Sequence, residues 1–374
     1  MIFQEQLDSL QQRGLYRSLK SVGYVDRQYI EVDKERFVNF TSNDYLGLGQ
    51  LAFDQDDFEM FMRQYSFQLS SSRLISGSSI VYDEIEIMLR HWLGFSACTI
   101  LNSGYDANLA LFNIFKNTNC VVFSDQENHA SIIDGIKLSG LEKKIYRHLD
   151  IADLENKLVQ FADQNIPKII ISDSVFSTNG DVADIEQLVA LKRKYHATLI
   201  LDVSHSLGLE NIANYKEVDI LTSSLSKACG AYGGVILSDR DTKEMLINHG
   251  RPFIYSSSLP VYNLYFIKRN IESVINAENR RDKLRYLSEY FDQMMTSINI
   301  NHVSTYSPIK FIEFDDIEAA QQTYQSLLDH FIFVSYLRYP TVSKPMIRIS
   351  LSFFHTEQNI DDLFKVLHTA RRLR

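Results

Sequence analysis

The sequence predicts an α/β fold: a large domain built on a mostly parallel sheet, followed by a smaller C-terminal α+β domain. Three observations predict it. From about residue 80 to 240, short apolar runs of strand length alternate with helix-length segments, the pattern of a wound parallel sheet. Residues 261–300 then read as one long helical stretch, and residues 308–374 alternate again. A chain of 374 residues can bury two cores. The pattern places an N-terminal segment at 1–45, the large domain at 46–258 and the small domain at 259–374.

Each element has its own signal. Phe3, Leu7, Leu10, Leu15 and Leu19 recur at roughly helical spacing, so residues 1–20 are expected to form an amphipathic helix. A strand pair is expected over Tyr29–Phe40, turning near Asp33–Glu35. The TSNDYLGLG segment that follows is polar and turn-rich. In the large domain, strands are expected at Ala97–Leu101, Cys120–Ser124, Lys168–Asp173, Thr198–Val203, Ile220–Ser223 and Gly234–Ser238. Helices are expected at Tyr82–Leu93, Ala107–Phe115, His129–Leu138, Ile151–Ala162 and Asp184–Tyr195. Near the C-terminus, strands are expected around Lys310–Phe314, Phe331–Tyr336 and Ile347–Leu351.

Bulk properties narrow the function. A net charge of −9 disfavours a general nucleic-acid or anionic-membrane partner. The apolar runs are strand-length, so no membrane span is expected. The charged N-terminus lacks the apolar core of a signal peptide. Cys98, Cys120 and Cys229 are odd in number and share no framework or metal-knuckle spacing. They are expected as reduced thiols in a cytoplasmic protein, with no metal site.

The chemistry-bearing residues fall where parallel sheets bind ligands, at strand carboxyl ends. Asp202 closes TLILD, and His205 follows three residues later. Lys227 lies in SSLSKACGAYGG, after a strand and among small residues that leave room for a ligand. Asn102–Tyr105 closes one strand and opens a helix, and a helix N-terminus favours an anion. His129 starts another helix. Taken singly, each has a bland counterpart: a capping aspartate, a surface lysine, an ordinary βα turn, a helix-capping histidine. Together they supply four things pyridoxal phosphate needs: a lysine for its aldehyde carbon, an anion site for its phosphate, an acid for its ring nitrogen and a partner for its phenolate.

With those residues in place, the chain resembles the α-oxoamine synthases, a family of fold-type I pyridoxal-phosphate transferases. The resemblance runs from about Gly14 to His368, over FTSNDYLGLG, SSRLISG, NSGYDANLALF, NHASIIDG, SVFSTNGD, DVSHSLG, SSLSKACGAYGG, YSSSLP and PTV…RISLS in family order. It implies that Lys227 is the Schiff-base lysine, Asp202 the partner of the pyridine nitrogen, His205 that of the phenolate oxygen, and His129 the ring stacked on the cofactor. Gly104, Tyr105 and Ser177 are implied to border it. Ser224 is implied to contact the phosphate, and Ser257 to reach the phosphate of a partner subunit, because family members are homodimers. Asn43 and Arg348 match positions that hold the amino-acid carboxylate, and Arg17 and Thr341 match acyl-substrate contacts. The chain departs from the pattern at Tyr82, where His is usual, at Met346 and Val261, and in shortened segments after Gly208 and after Pro340.

The implied reaction is a decarboxylative condensation of an amino acid with an acyl thioester. Length and N-terminal pattern best resemble members that join L-alanine to a pimeloyl thioester, on CoA or a carrier protein, in biotin synthesis. Other acyl chains, or glycine with acetyl-CoA, are the nearest alternatives. An aminotransferase on the same fold is more remote. A non-catalytic subunit is more remote still, since such subunits generally lack the lysine and Lys227 is present.

Overall fold

The computed structural model describes residues 2–210, 212–300 and 302–372. They form two compact units. The larger comprises residues 43–285 and 305–307, and the smaller 1–42, 286–304 and 308–374. The division therefore lies inside the helix Glu278–Ser297, not at residue 258. The helix before it, Val261–Ile275, stays with the larger unit because Leu264, Ile267, Ile271 and Val274 are buried there. A periodicity that predicts one long helix over 261–300 cannot show where a fold divides along it.

The larger unit is built on seven strands: β1 (Ala97–Leu101), β2 (Val121–Asp125), β3 (Glu142–Tyr146), β4 (Lys168–Asp173), β5 (Thr198–Asp202), β6 (Ile220–Ser224) and β7 (Gly234–Ser238). Their order is β1-β7-β6-β5-β4-β2-β3. β7 runs antiparallel to both neighbours, and the other pairings are parallel. β1, β2, β4 and β7 are buried along their whole length. That is why they read as continuous apolar runs. β3 has the sequence EKKIY and is mostly exposed. Charged edge strands resist unwanted pairing, and the same charges hide them from a search for apolar runs.

Parallel register brings strand ends level. Asp173 of β4 pairs beside Asp202 of β5, which pairs beside Thr222 of β6. Two helices start at this edge. α1 (Gly104–Ile114) begins three residues earlier than Ala107, because Ser103 caps it: the Ser103 hydroxyl accepts the Asp106 N–H at 3.0 Å. α2 (Ala130–Ser139) is capped by His129. The two pack closely at Gly135, where a Cβ would fall 2.8 Å from the Phe112 ring.

In the smaller unit, the N-terminal helix spans only Gln4–Gln12. It ends where Gly14 takes φ +64°, and the Leu19 expected on it is fully exposed. Strands Val22–Asp26, Tyr29–Val32 and Glu35–Asn39 form a sheet that Ile332–Phe333 joins. Ile309–Glu313, Met346–Ser350 and Ser335–Leu337 form a second sheet. The single strand expected over Phe331–Tyr336 is thus two, split at Val334 between sheets. Lys310 and Asp292 form a buried ion pair at 2.7 Å in this unit. No helix among the described residues is long and apolar enough to cross a membrane.

Candidate active site

The strand ends of the larger unit open into a cavity of about 160 Å³. Eight residues singled out from the sequence line it: Gly104, Tyr105, His129, Ser177, Asp202, His205, Ser224 and Lys227. Ser103, Ser131, Asp173, Ser204, Ser226 and Tyr232 complete the wall. Ser257 and Asn43 belong to the same unit but are not among the lining residues. Ser257 is exposed, and its carbonyl accepts a hydrogen bond from Asn102 Nδ2 at 3.0 Å. Asn43 Oδ1 accepts from the Tyr45 hydroxyl at 3.2 Å.

The remaining three lie in the smaller unit. Arg17 donates to the Thr341 hydroxyl at 3.0 Å, although 324 positions separate them. Arg348 is buried on Met346–Ser350 and donates to Ser350 Oγ at 2.8 Å.

Asp202 is 4% exposed at the end of β5. A carboxylate in that position needs donors. Its Oδ1 accepts the Ser204 N–H at 2.9 Å and its Oδ2 accepts Asn108 Nδ2 at 2.7 Å. Asn108 is fixed in turn, because its Oδ1 accepts from the Thr222 hydroxyl at 2.8 Å. The sequence does carry a signal for Asn108: it is a polar residue on the buried face of α1, and such a residue must find a partner.

His205 Nδ1 lies 2.6 Å from the hydroxyl of the wholly buried Tyr45. The same hydroxyl faces Asn43 Oδ1, so one tyrosine ties the His205 ring to the Asn43 segment.

His129 opens to solvent on one side and is hemmed in by protein on the other. That partial desolvation lowers its pKa; the Asp202 carboxylate opposes the shift and the Lys227 ammonium adds to it. The shift favours the neutral ring. Its backbone N–H donates to Asp173 Oδ2 at 2.8 Å. Burial, with the neighbouring Asp202 charge, pushes Asp173 well above the usual carboxylate range. Tyr105 is tied to Asp134 by its hydroxyl, and its ring stands edge-on to His129, 6.4 Å between centroids.

Behind this wall, His148 joins two strand-end loops. Its Nδ1 meets Asp125 Oδ1 at 2.9 Å, and its Nε2 meets Asp181 Oδ2 at 3.2 Å. Burial alone would lower its pKa, but the two carboxylates outweigh that and raise it from 6.5 to about 10. A folded-state pKa above the unfolded value stabilises fully below the unfolded pKa. The contribution then fades as pH climbs toward the folded value. Denaturation at pH 6 and pH 9 is therefore expected to give lower stability at pH 9, and His148→Gln is expected to flatten that difference.

The donor set fits pyridoxal phosphate. A lysine, a buried carboxylate, a flat imidazole and a helix N-terminus share one cavity. Only glycine fits at the helix start: a Cβ on Gly104 would lie 2.8 Å from Ser224 Cβ and 3.0 Å from Ser224 N. Gly104→Ala is expected to weaken cofactor affinity about tenfold, from an overpacking cost of about 1–2 kcal/mol, as read by absorbance titration of apoprotein.

Tyr82, the departure from the family's usual His, is 1% exposed and accepts the Leu259 N–H at 2.8 Å. The Arg73 guanidinium lies over its ring at 3.9 Å. Its position is that of a packing residue, away from the cavity lining. Tyr82→Phe is expected to lower stability by about 1–3 kcal/mol, through the orphaned N–H, and to leave kcat unchanged.

Comparison with known proteins gives a consistent set of likenesses. The family model described as aminotransferase class I and II matches residues 35–367. A protein from Thermodesulfovibrio yellowstonii with the provisional name 8-amino-7-oxononanoate synthase is 33% identical over 97% of this chain and 95% of its own. A Bacillus cereus protein with the same provisional name is 32% identical over 98% and 95%. Among solved structures, serine palmitoyltransferase from Sphingomonas wittichii superposes with a TM-score of 0.91 at 22% identity, covering 100% of this chain and 98% of that one. The 8-amino-7-oxononanoate synthase of Francisella tularensis superposes with a TM-score of 0.79 at 25% identity, covering 90% and 98%.

Proposed function

We propose, from the premise that this chain belongs to the class I and II aminotransferase family and within it to the pyridoxal-phosphate-dependent α-oxoamine synthases, that it condenses L-alanine with a pimeloyl thioester. The products are 8-amino-7-oxononanoate, carbon dioxide and the free thiol, a step in biotin synthesis. The observation that carries the chemistry is the convergence of Lys227, Asp202, His205, His129 and the Gly104 turn on one cavity. The choice of alanine and pimeloyl rests on the provisional names of the full-length relatives. We further propose a cytoplasmic homodimer in which Ser257 reaches the partner subunit's phosphate site.

Bound pyridoxal phosphate supplies an electron sink for the pair released from the amino acid's Cα–H bond. The residues do the rest. Lys227 Nζ would hold the cofactor's aldehyde carbon and, once released, would take the Cα proton as general base. The Asp202 carboxylate keeps the ring nitrogen protonated. His205 would pair with the phenolate oxygen and His129 would stack on the ring face, with Ser177 close to the cofactor. The free N–H groups at Gly104 and Tyr105, with the Ser224 hydroxyl, bind the phosphate. Arg348 and Asn43 hold the substrate carboxylate, for which a guanidinium fork is well shaped. Arg17 and Thr341 contact the acyl chain. The chemistry supplied there would join the amino acid's α-carbon to the thioester carbonyl carbon, with the thiol leaving and the carboxylate lost as carbon dioxide.

The test supplies L-alanine and glycine in parallel with pimeloyl-CoA, pimeloyl-carrier protein, acetyl-CoA and a long-chain acyl-CoA. The expected result is thiol and carbon dioxide release with alanine and a pimeloyl donor. No release from that pair, while another pair reacts, overturns the substrate assignment. A 2-oxo acid in place of carbon dioxide indicates an aminotransferase.

A further inference from the structure

Two turns of the larger unit lie in backbone contact, one after Lys227 and one after Asn43. Gly230 takes φ +58°, and a Cβ there would fall 2.2 Å from Gly49 N and 2.7 Å from the Leu48 carbonyl carbon. One side chain ties both turns down. Asn270 is 1% exposed on α3 (Val261–Ile275). Its Nδ2 faces the carbonyls of Cys229 at 2.8 Å, Gly230 at 3.2 Å and Leu48 at 3.4 Å. Its Oδ1 accepts from Nε and Nη2 of Arg269 at 3.0 and 2.8 Å. The guanidinium thus fixes which way the amide faces: oxygen toward Arg269, nitrogen toward the turns.

The second turn is braced from its other side. The Asp44 carboxylate accepts the N–H groups of Leu48 and Gly49, each at 2.9 Å, and Arg280 donates to the Leu46 carbonyl at 2.6 Å. The same turn carries Tyr45, whose hydroxyl meets His205.

We propose that Asn270 is a positioning residue for the reaction at Lys227. It locks the main chain just after Lys227 and, through Leu48, keeps the Asn43–Tyr45 segment in register with it. The Lys227 side chain then changes task, from holding the cofactor to taking a proton, on a backbone that stays still. Without the amide, the Cys229 and Gly230 carbonyls lose the donor they share with Leu48, which keeps only the Leu51 N–H, and the turns part. Phosphate binding at the Gly104 turn does not depend on this clamp. The loss is therefore expected in kcat and not in cofactor affinity. The proposal rests on Lys227 as the cofactor-bearing lysine.

The experiment compares wild-type holoenzyme, Asn270→Ala and Ser273→Ala with L-alanine and pimeloyl-CoA. Ser273 lies one turn further along α3 and donates only to the Arg269 carbonyl at 3.0 Å. For Asn270→Ala, kcat is expected to fall about 10- to 100-fold, the cost of a reacting group misplaced by about 1 Å. The alanine KM is expected to move less than about threefold and the cofactor absorbance to be retained, while Ser273→Ala matches wild type.

Asn270→Asp keeps the shape but turns an acceptor toward the three carbonyls, so its kcat is expected to be lower than that of Asn270→Ala. If Asn270→Ala does not fold, Asn270→Ser is read instead. One hydroxyl donor remains there, so an intermediate kcat supports the proposal. A folded variant with wild-type kcat overturns it, as does a loss confined to cofactor affinity. Wild-type protein that binds no pyridoxal phosphate overturns the functional reading instead.

Discussion

Lys227→Ala is expected to lower kcat by about 10⁴-fold, the upper end of what a positioned proton-transfer group contributes, with covalent attachment lost as well. The remaining wall should still bind the cofactor. Asp202, Ser224, His129 and the Gly104 turn do not depend on the lysine side chain, and the substitution removes bulk from a cavity already open by about 160 Å³. The variant is therefore expected to fold and to bind pyridoxal phosphate reversibly, with the spectrum of the free aldehyde. Absorbance after dialysis and a thiol-release assay read the two effects separately. A variant that keeps a tenth of wild-type kcat contradicts the assignment of Lys227 as base.

Asp202→Asn is expected to cost about 10²–10³-fold in kcat, the scale of removing one preorganised electrostatic partner from a reacting centre. The reason is electronic. A neutral amide cannot hold a proton on the ring nitrogen, and an unprotonated ring is a poorer electron sink. There is a structural consequence too. Asp202 accepts from Ser204 N and Asn108 Nδ2, and the new amide can satisfy only one of them while its NH₂ group turns toward the other. Some stability, about 1–3 kcal/mol, is expected to be lost with the unsatisfied donor. Asn108→Asp on its own tests that relay from the other side, because it sets two carboxylates against each other. It is expected to lower stability, because two carboxylates at hydrogen-bond distance in a buried site repel.

Much of this fold is legible in the sequence, and the exceptions have physical causes. Ala97–Leu101, Lys168–Asp173 and Gly234–Ser238 match the expected strands residue for residue, because each carries a buried apolar run such as Ile169–Ile171. β3 is not legible, since an exposed edge of Glu and Lys carries no apolar run. The N-terminal stripe at Phe3, Leu7 and Leu10 does form a helix, but its apolar side chains stay exposed on this chain. Periodicity states that a face is apolar and leaves open what covers it.

The cavity is legible for a different reason. Asp202 ends a strand, His205 and Lys227 each lie three residues past a strand end, and Gly104 and His129 stand at helix starts. A parallel sheet carries such positions to one edge. The residues that sequence reasoning passes over act at one remove. Asp173, Asn108, Tyr45 and Asn270 are identified by what they bond to, and those partners lie 44, 94, 160 and up to 222 positions away in the chain, for His129, Asp202, His205 and Leu48.

The most direct test of the account treats wild-type protein, reconstituted with pyridoxal phosphate, with borohydride, and then maps its peptides by mass spectrometry. Reduction fixes the bond between cofactor and protein where it stands. The expected result is one modified residue, Lys227, with the modification abolished by prior incubation with excess L-alanine. Modification of a different lysine, or a protein that remains colourless and unmodified after reconstitution, contradicts the claim that Lys227 holds the cofactor.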